Sequence, residues 1–102
     1  MSRIVVEGAV PADHPALPGH FPGEPIVPGV VLLAWVLEQA RSQLGFQAGP
    51  NRWQRIKFLQ PVGPDQTIRL ELDGDSGRFS FQIKREDDSP VARGQCRHAA
   101  LA

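Results

Sequence analysis

The stretch GHFPGEPIVPGVVLLAWVLEQA, residues 19–40, decides how this chain folds. Its first half is rich in glycine and proline, and its second half is a nearly unbroken apolar run. Proline suits the first turn of a helix, and glycine favours the position just past the last turn. The sequence therefore predicts a helix that begins at Pro28 or Gly29, runs to about Leu44 and stops at Gly45.

The predicted helix is apolar around its whole circumference from Val30 to Leu37, and a helix of this kind is expected to be buried on every side. The segment before it, residues 11–28, contains six prolines, which exclude both a helix interior and a central strand. A loop of this length in so small a domain is uncommon and is usually functional.

Five further segments have the composition or the alternation of β-strands, and four of them follow the helix. This order predicts an α+β fold over residues 1–102, a single domain in which an antiparallel sheet wraps around one central helix. Because so small a sheet leaves open edges, we expect two chains to join edge to edge. The predicted strands are RIVVEGAV (3–10), NRWQRIKFLQ (51–60), TIRLEL (67–72), RFSFQIK (78–84) and VARGQCRHA (91–99).

Composition excludes several classes of protein. The formal net charge is zero, whereas a nucleic-acid-binding protein normally carries a basic patch. Cys96 is the single cysteine and fits a reducing compartment, and residues 1–10 do not have the pattern of a signal peptide. The longest apolar run, residues 26–37, is too short to span a membrane. We therefore expect a cytoplasmic protein with no membrane or nucleic-acid partner.

The loop places a single histidine, His20, in the sequence PGHFPG. Prolines lower the entropy lost when a loop is ordered, so this loop is suited to holding one side chain in place. An imidazole with a pKa of about 6.5 can take and return a proton near neutral pH, as general acid–base catalysis requires. The alternative is a loop that is only packed, in which His20 caps a neighbouring group.

The start of the helix supplies a second chemical element. Backbone N–H groups at a helix N-terminus are unpaired and carry the positive end of the helix dipole. They can stabilise a developing oxyanion, such as a thioester carbonyl that becomes an enolate. Gly29 has no side chain to block that approach. Three scattered histidines without ligand spacing imply no metal site, and no cofactor is expected.

The sequence GHFPGEPIVPGVVLL resembles the GHFPGxPxxPGV signature of the hotdog-fold 3-hydroxyacyl-(acyl carrier protein) dehydratases of fatty-acid synthesis. The resemblance continues in IKFLQPVGPDQTIRLEL and FSFQIKREDDSPVARGQ, so it covers almost the whole chain. Within this group, PGVVLLAW is most similar to the dehydratase-like proteins of aryl-polyene pigment clusters. The resemblance implies a hotdog fold, a homodimer or dimer of dimers with shared active sites, and a substrate bound to acyl carrier protein.

The resemblance also implies roles for individual residues. His20 would be the catalytic histidine, and the backbone N–H of Gly29 or Val30 would bind the thioester carbonyl. The family carries an acidic residue five positions after the helix-opening glycine, where this chain has Ala34. Glu38 is the candidate substitute because it shares a helix face with Ala34. It lies one turn away, however, and the alternative is a polar residue satisfied by local hydrogen bonds.

Other residues are weaker candidates for the same pocket. Phe21, beside His20, and Trp35, beside Ala34, are candidate apolar lining for the acyl chain, with a core position as the alternative for Trp35. Asp13 and His14 precede the loop, in a sequence that also suits an ordinary turn. His98 is expected to pack at a strand end.

Three functions stay open at this point. The first is elimination of water from a 3-hydroxyacyl thioester, with His20 as the principal acid–base group. The second is a catalytically silent hotdog subunit that binds a true dehydratase or an acyl chain. The third is an acyl thioesterase on the same fold. The intact GHFPG sequence favours the first function, and Ala34 favours the second.

Overall fold

The computed structural model describes residues 2–14 and 26–99, which form one helix and five strands. His20 and Phe21 therefore lie outside the described residues. The helix begins and ends where the sequence predicts, and each strand lies within two residues of its predicted bounds. The elements are β1 (Ser2–Gly8), α1 (Gly29–Leu44), β2 (Asn51–Phe58), β3 (Ile68–Gly74), β4 (Arg78–Arg85) and β5 (Pro90–His98).

The five strands form a single sheet in the order β1-β3-β4-β5-β2, and every neighbouring pair is antiparallel. The predicted sheet, with the first strand and the last four strands together, is confirmed. β1 and β2 lie at its two edges and β4 lies at its centre. The helix precedes β2 in the chain, so the connection from β1 to β2 crosses the face of the sheet.

The core forms where α1 lies on the apolar face of the sheet. Successive side chains of a strand point to opposite faces, and β3 and β4 each direct alternate apolar residues toward the helix. The buried sheet residues include Ile68, Leu70, Leu72, Phe79, Phe81, Ile83, Ala92 and Cys96. This pattern is the one that the alternation in the sequence predicts. The opposite face of the sheet, here called the outer face, carries the polar side chains.

The C-terminal boundary of α1 has a specific cause. Gly45 has a φ of 67°, in the left-handed region, and its backbone N–H donates to the carbonyl of Ala40. Glycine adopts this conformation without the penalty that a Cβ atom imposes, so the helix stops there.

The prediction that α1 is buried on every side is wrong for this chain. Leu32, Val36 and Ala40 are buried against the sheet, whereas Val30 is 72% exposed and Ala34 is also exposed. The physical reason is that one sheet covers only one side of a helix. The apolar run from Val30 to Leu37 thus has an open side in the single chain.

A β-bulge in β2 keeps the core side chains of this edge strand in place. Two residues, Arg55 and Ile56, lie opposite one residue of β5, Gly94, and Arg55 has a φ of 56°. This arrangement lets both Trp53 and Ile56 pack against the core. Without the extra residue, the alternation would turn one of the two outward.

An ion-pair cluster on the outer face joins β1, β3 and β4. The Glu71 carboxylate lies 2.9 Å from a guanidinium nitrogen of Arg3, 3.1 Å from the ammonium of Lys84 and 3.8 Å from Nε of Arg69. Its side chain is 14% exposed. The hydrogen bond from Lys84, aided by that from Arg3, lowers the pKa of Glu71 despite partial desolvation.

Replacing Glu71 with glutamine should lower the free energy of unfolding by about 1 kcal/mol at pH 7. A lowered pKa in the folded state stabilises the protein above the pKa of the unfolded chain, about 4.3. That stabilisation is lost as the pH falls through the folded-state pKa. Urea unfolding of both proteins across this range should show a gap at pH 7 that closes in acid. A gap of the same size at pH 7 and in acid would contradict the account.

Candidate active site

Both ends of the proline-rich loop are tied to the turn between β2 and β3. On the N-terminal side, the backbone N–H of Asp65 donates to the carbonyl of Val10 over 2.7 Å, and the N–H of Ala12 donates to the Asp65 carboxylate over 3.3 Å. On the C-terminal side, the N–H of Val27 donates to the carbonyl of Val62 over 2.8 Å. One turn thus holds both flanks of the loop that contains His20.

The first turn of α1 leaves two backbone donors open. The N–H groups of Val31 and Leu32 donate to the carbonyl of Pro28 over 3.0 and 3.3 Å. The N–H groups of Gly29 and Val30 donate to no acceptor in residues 2–14 or 26–99, and no side chain caps this end of the helix. The first turn contains no acidic residue to compete for these donors. The pair is therefore available to an oxygen atom that carries partial negative charge.

The ring of Phe58 lies against Gly29, a contact that the sequence analysis missed. A Cβ atom added to Gly29 would lie 2.6 Å from Cζ of Phe58, so a larger residue at this position would require the ring to move. Phe58 is 51% exposed, and the neighbouring apolar residues Val30 and Leu59 are 72% and 46% exposed. We call Val30, Phe58 and Leu59 the apolar rim. The sequence feature that could have revealed this rim is the apolar pair Phe58 and Leu59. The pair lies at the end of a predicted strand whose other residues have an irregular polar pattern.

The open side of α1 runs from the apolar rim along the helix. Val30, Ala34 and Glu38 are exposed and follow one another at intervals of four residues, so they share one face. The shared face predicted for Ala34 and Glu38 is confirmed. The Glu38 carboxylate makes no hydrogen bond or ion pair with another described residue. The described part of the chain therefore does not support the alternative in which local hydrogen bonds satisfy the Glu38 side chain.

Trp35 lies on the flank of α1 that faces β1. Its indole packs beside Gly8, where an added Cβ atom would lie 2.8 Å from Cζ2 of the ring. The residue is half-buried and packs against the hydrophobic core. One side of the Trp35 ring thus packs against the core, as the alternative for this residue predicts, and the rest of the ring is accessible to solvent.

The remaining candidates lie at or beyond the margins of this site. Asp13 is exposed and His14 is half-buried in a turn, where the N–H of His14 donates to the carbonyl of Pro11 over 3.0 Å. His98 is buried at the far end of β5, with Nε2 2.8 Å from the carbonyl oxygen of Ala48. It pairs with Asn51, at the opposite end of β2 from Phe58.

Burial also removes Cys96 as a nucleophile. Cys96 belongs to β5, its thiol is buried in the core, and desolvation raises the pKa of the thiol to about 11. A thiol with such a pKa is almost entirely protonated at neutral pH, and the thiolate is the reactive form. In the described ranges, no three His, Cys, Asp or Glu side chains come together as metal ligands. No helix of these ranges is long and apolar enough to cross a membrane.

Comparison with known proteins identifies the family. A family model of ApeI-like proteins, described as ApeI dehydratase, matches residues 1–95. The 3-hydroxyacyl-(acyl-carrier-protein) dehydratase FabZ of Roseiflexus castenholzii is 35% identical over 86 residues, which are 74% of this chain and 58% of that protein. FabZ of Chloroflexus aggregans is 32% identical over 98 residues, which are 93% of this chain and 64% of that protein.

A solved structure has the same fold. A chain of the dehydratase heterocomplex ApeI:P from Xenorhabdus doucetiae superposes with a TM-score of 0.76 at 23% identity, over 93% of this chain and 85% of that one. This likeness confirms the hotdog fold. The present chain spans about three fifths of the length of the FabZ relatives that it matches. It belongs to the ApeI-like dehydratase family.

The contact between Gly29 and Phe58 predicts a measurable coupling. Gly29→Ala should lower the free energy of unfolding by about 1 kcal/mol, because the new methyl group overlaps the ring. In a Phe58→Leu background the same change should cost much less, since a smaller side chain leaves room. Urea unfolding of the two single variants and the double variant measures the coupling. Equal costs of Gly29→Ala in the two backgrounds would show that the ring does not lie on the glycine.

Proposed function

We propose that this chain eliminates water from a 3-hydroxyacyl thioester bound to acyl carrier protein, giving the trans-2-enoyl thioester. The observation that carries the proposal is the pair of open N–H groups at Gly29 and Val30. These donors directly follow a loop that contains His20 and is tied at both ends to one turn. Family membership supports the same chemistry, and the FabZ relatives are dehydratases by name.

In this mechanism His20 removes a proton from C2 of the substrate. The electron pair moves toward the thioester carbonyl, whose oxygen gains negative charge and accepts hydrogen bonds from the N–H groups of Gly29 and Val30. The C3–O bond then breaks as the double bond between C2 and C3 forms, and the hydroxyl leaves as water after taking a proton. The apolar rim, with Phe58 and Val30, lies beside this carbonyl position and suits contact with the acyl chain.

The proton for the leaving hydroxyl has no obvious donor in this chain. By its resemblance to the dehydratases, Ala34 occupies the position of an acidic residue, and its methyl group cannot supply a proton. Glu38 is on the same exposed face, about 6 Å further along the helix. Direct transfer requires about 3 Å, or one bridging water molecule. We infer that His20 itself returns the proton to the leaving hydroxyl, with Glu38 not essential.

A homodimer is part of the proposal. β1 and β2 are edge strands, and an exposed edge presents unpaired backbone groups. The open side of α1 also exposes Val30 and Ala34, which a second subunit would cover. A species with the mass of the monomer at micromolar concentration in solution would count against this shared-site arrangement.

A second function is favoured by one specific observation. The exposed face of α1 presents the methyl group of Ala34 where the resemblance calls for a carboxylate. A chain without that group suits the role of a silent subunit that pairs with an active dehydratase. The solved relative from Xenorhabdus doucetiae is itself part of a dehydratase heterocomplex.

Incubation of the purified chain with 3-hydroxyacyl carrier protein, followed by intact-mass analysis of the carrier, separates these functions. Dehydration predicts loss of one water from the acyl group while the thioester stays intact. A thioesterase would instead release the bare carrier and a free acid. An unchanged substrate, converted only after addition of a second subunit, would replace the first proposal with the silent-subunit function.

His20→Ala should lower the dehydration rate about 10²- to 10⁴-fold, the usual contribution of a general acid–base group. The melting temperature should change little, since trimming a loop side chain removes little core packing. The readout is the initial rate beside a thermal unfolding curve. His98→Gln is the matched control, because His98 of β5 pairs with Asn51, at the opposite end of β2 from Phe58. A His20→Ala protein with full activity would refute the mechanism.

Ala34→Glu should raise the dehydration rate, up to about 10²- to 10⁴-fold, if it restores a proton donor. Glu38→Gln should leave the native rate nearly unchanged, since Glu38 is expected to be non-essential. Comparison of the initial rates of the two variants with that of the native protein decides whether His20 or Glu38 donates the proton to the leaving hydroxyl. A sharp loss in Glu38→Gln, with no gain in Ala34→Glu, would assign the acid to Glu38 instead.

A further inference from the structure

The positive charge of this chain is concentrated on three neighbouring strands. β2, β4 and β5 carry eight of the eleven lysine and arginine residues and no aspartate or glutamate. These strands lie side by side in the sheet, in the order β4-β5-β2. The carboxylates of the chain lie in β1, β3, α1 and the connecting segments. Although the net charge is zero, the positive and negative side chains are therefore strongly segregated between different elements.

Three arginines form a line across these strands. Arg78 of β4 is directly opposite Arg97 of β5, which is directly opposite Arg52 of β2. Their chain neighbours Phe79, Cys96 and Trp53 pack in or against the core, so the three arginines point to the outer face. We call Arg52, Arg97 and Arg78 the arginine row. Each member of the row lies on the strand next to that of the previous member, so the distance between adjacent strands separates them.

The arginine row forms no ion pair within the described chain. No carboxylate oxygen of residues 2–14 or 26–99 forms an ion pair with Arg52, Arg78 or Arg97, whereas Arg3, Arg69 and Lys84 all pair with acids. Hydrogen bonds from the N–H groups of Gly77 and Arg78 lower the pKa of Asp75, and the charge of Arg78 makes a smaller contribution, but the two side chains form no ion pair.

The row is costly in the isolated chain. Like charges directly opposite each other in a sheet are destabilising. Nε of Arg97 is buried and has no hydrogen-bond partner among the described residues. A groove of about 350 Å³ lies over this part of the outer face, lined by Arg78, Arg97, Ser80 and Gln95 and, on its β3 side, by Asp73 and Asp75. The row is thus a set of cationic donors without an ion pair, and the acids Asp73 and Asp75 lie at the β3 side of the groove beside it.

More cations extend the same surface. Arg55, Lys57 and Arg93 line a second groove of about 630 Å³ on the outer face and likewise form no ion pair among the described residues. Arg55 is the bulge residue with the left-handed backbone, a conformation unfavourable for a residue with a Cβ atom. On the β3 side the surface is bordered by Glu71, whose charge is matched by Arg3 and Lys84, and by Asp73, which is exposed.

We propose that the outer face of β4-β5-β2 is a docking surface for an acidic helix of a partner protein. Residues opposite one another on antiparallel strands lie about 4.5–5.5 Å apart. Side chains at positions i and i+4 of a helix are about 5–6 Å apart. A helix laid across the strands can therefore offer one carboxylate to each member of the arginine row. This surface is on the side of the sheet opposite α1, so it is distinct from the candidate active site.

A helix suits this surface better than a nucleic acid. The row is short and straight, and its spacing matches the helical repeat. Acidic groups also flank the strands, including the turn at Glu86, Asp87 and Asp88 between β4 and β5. These carboxylates would repel a long phosphate backbone that extends beyond the row, whereas a single helix can end before it reaches them.

The test uses a fluorescent alanine-based helical peptide with glutamates on one face at every third or fourth position. The control peptide has the same composition with the glutamates distributed around the helix. Anisotropy titration should show that the one-faced peptide binds more tightly and that its affinity falls as salt is added. Arg52→Ala and Arg78→Ala should each weaken binding about two- to fivefold, the range of an exposed ion pair. The double reversal Arg52→Glu/Arg78→Glu should abolish binding.

Arg41→Ala is the control variant, because Arg41 is exposed on α1 and should leave the affinity unchanged. Circular dichroism and thermal unfolding establish that each variant is folded. Equal affinity for the two peptides, or equal affinity of the arginine variants and the native chain, would overturn the proposal. Tighter binding of a single-stranded DNA of equal charge, lost in the same variants, would also overturn it and assign the surface to nucleic acid.

Discussion

The contact between the buried side of α1 and the apolar face of the sheet is the constraint on which the rest of the molecule depends. Leu32, Val36 and Ala40 meet a sheet face formed by residues such as Leu70 and Leu72. Each fully buried aliphatic side chain of this kind contributes about 1.5–3 kcal/mol of transfer free energy. The packing fixes the position of the helix on the sheet, and therefore the positions of both helix ends.

The chemistry of the candidate site is a consequence of where the helix begins. Because Gly29 lies beneath the ring of Phe58, the first open N–H groups of α1 are beside an apolar rim. The turn after β2 then holds both ends of the loop that carries His20. The same packing leaves the opposite side of the helix open, with Ala34 and Glu38 exposed. The position of the helix thus provides both the place proposed for a thioester carbonyl and the surface proposed for a second subunit.

Much of this arrangement was predictable from local signals. Gly45 indicated the end of the helix because glycine readily adopts the left-handed conformation that ends a helix. The alternation of apolar and polar residues in 67–72 indicated which face of β3 is buried. The contact of Phe58 with Gly29 was not predictable, because it joins elements distant in sequence. The bulge at Arg55 carries no glycine that would reveal it. The helix was predicted to be buried on every side because its apolar composition indicates that its side chains favour burial. Composition does not indicate how many packing surfaces a single chain provides. The arginine row depends on strand register, which composition alone does not give.

The central claim is that the open end of α1 and the loop before it support reversible addition of water across C2 and C3 of a thioester. The most direct test is to run the reaction backward, with a trans-2-enoyl carrier protein in H₂¹⁸O. The account predicts that the acyl group gains one H₂¹⁸O while it stays attached to the carrier, with the heavy oxygen on C3. Appearance of ¹⁸O only in a released free acid, or no incorporation at all, would contradict it.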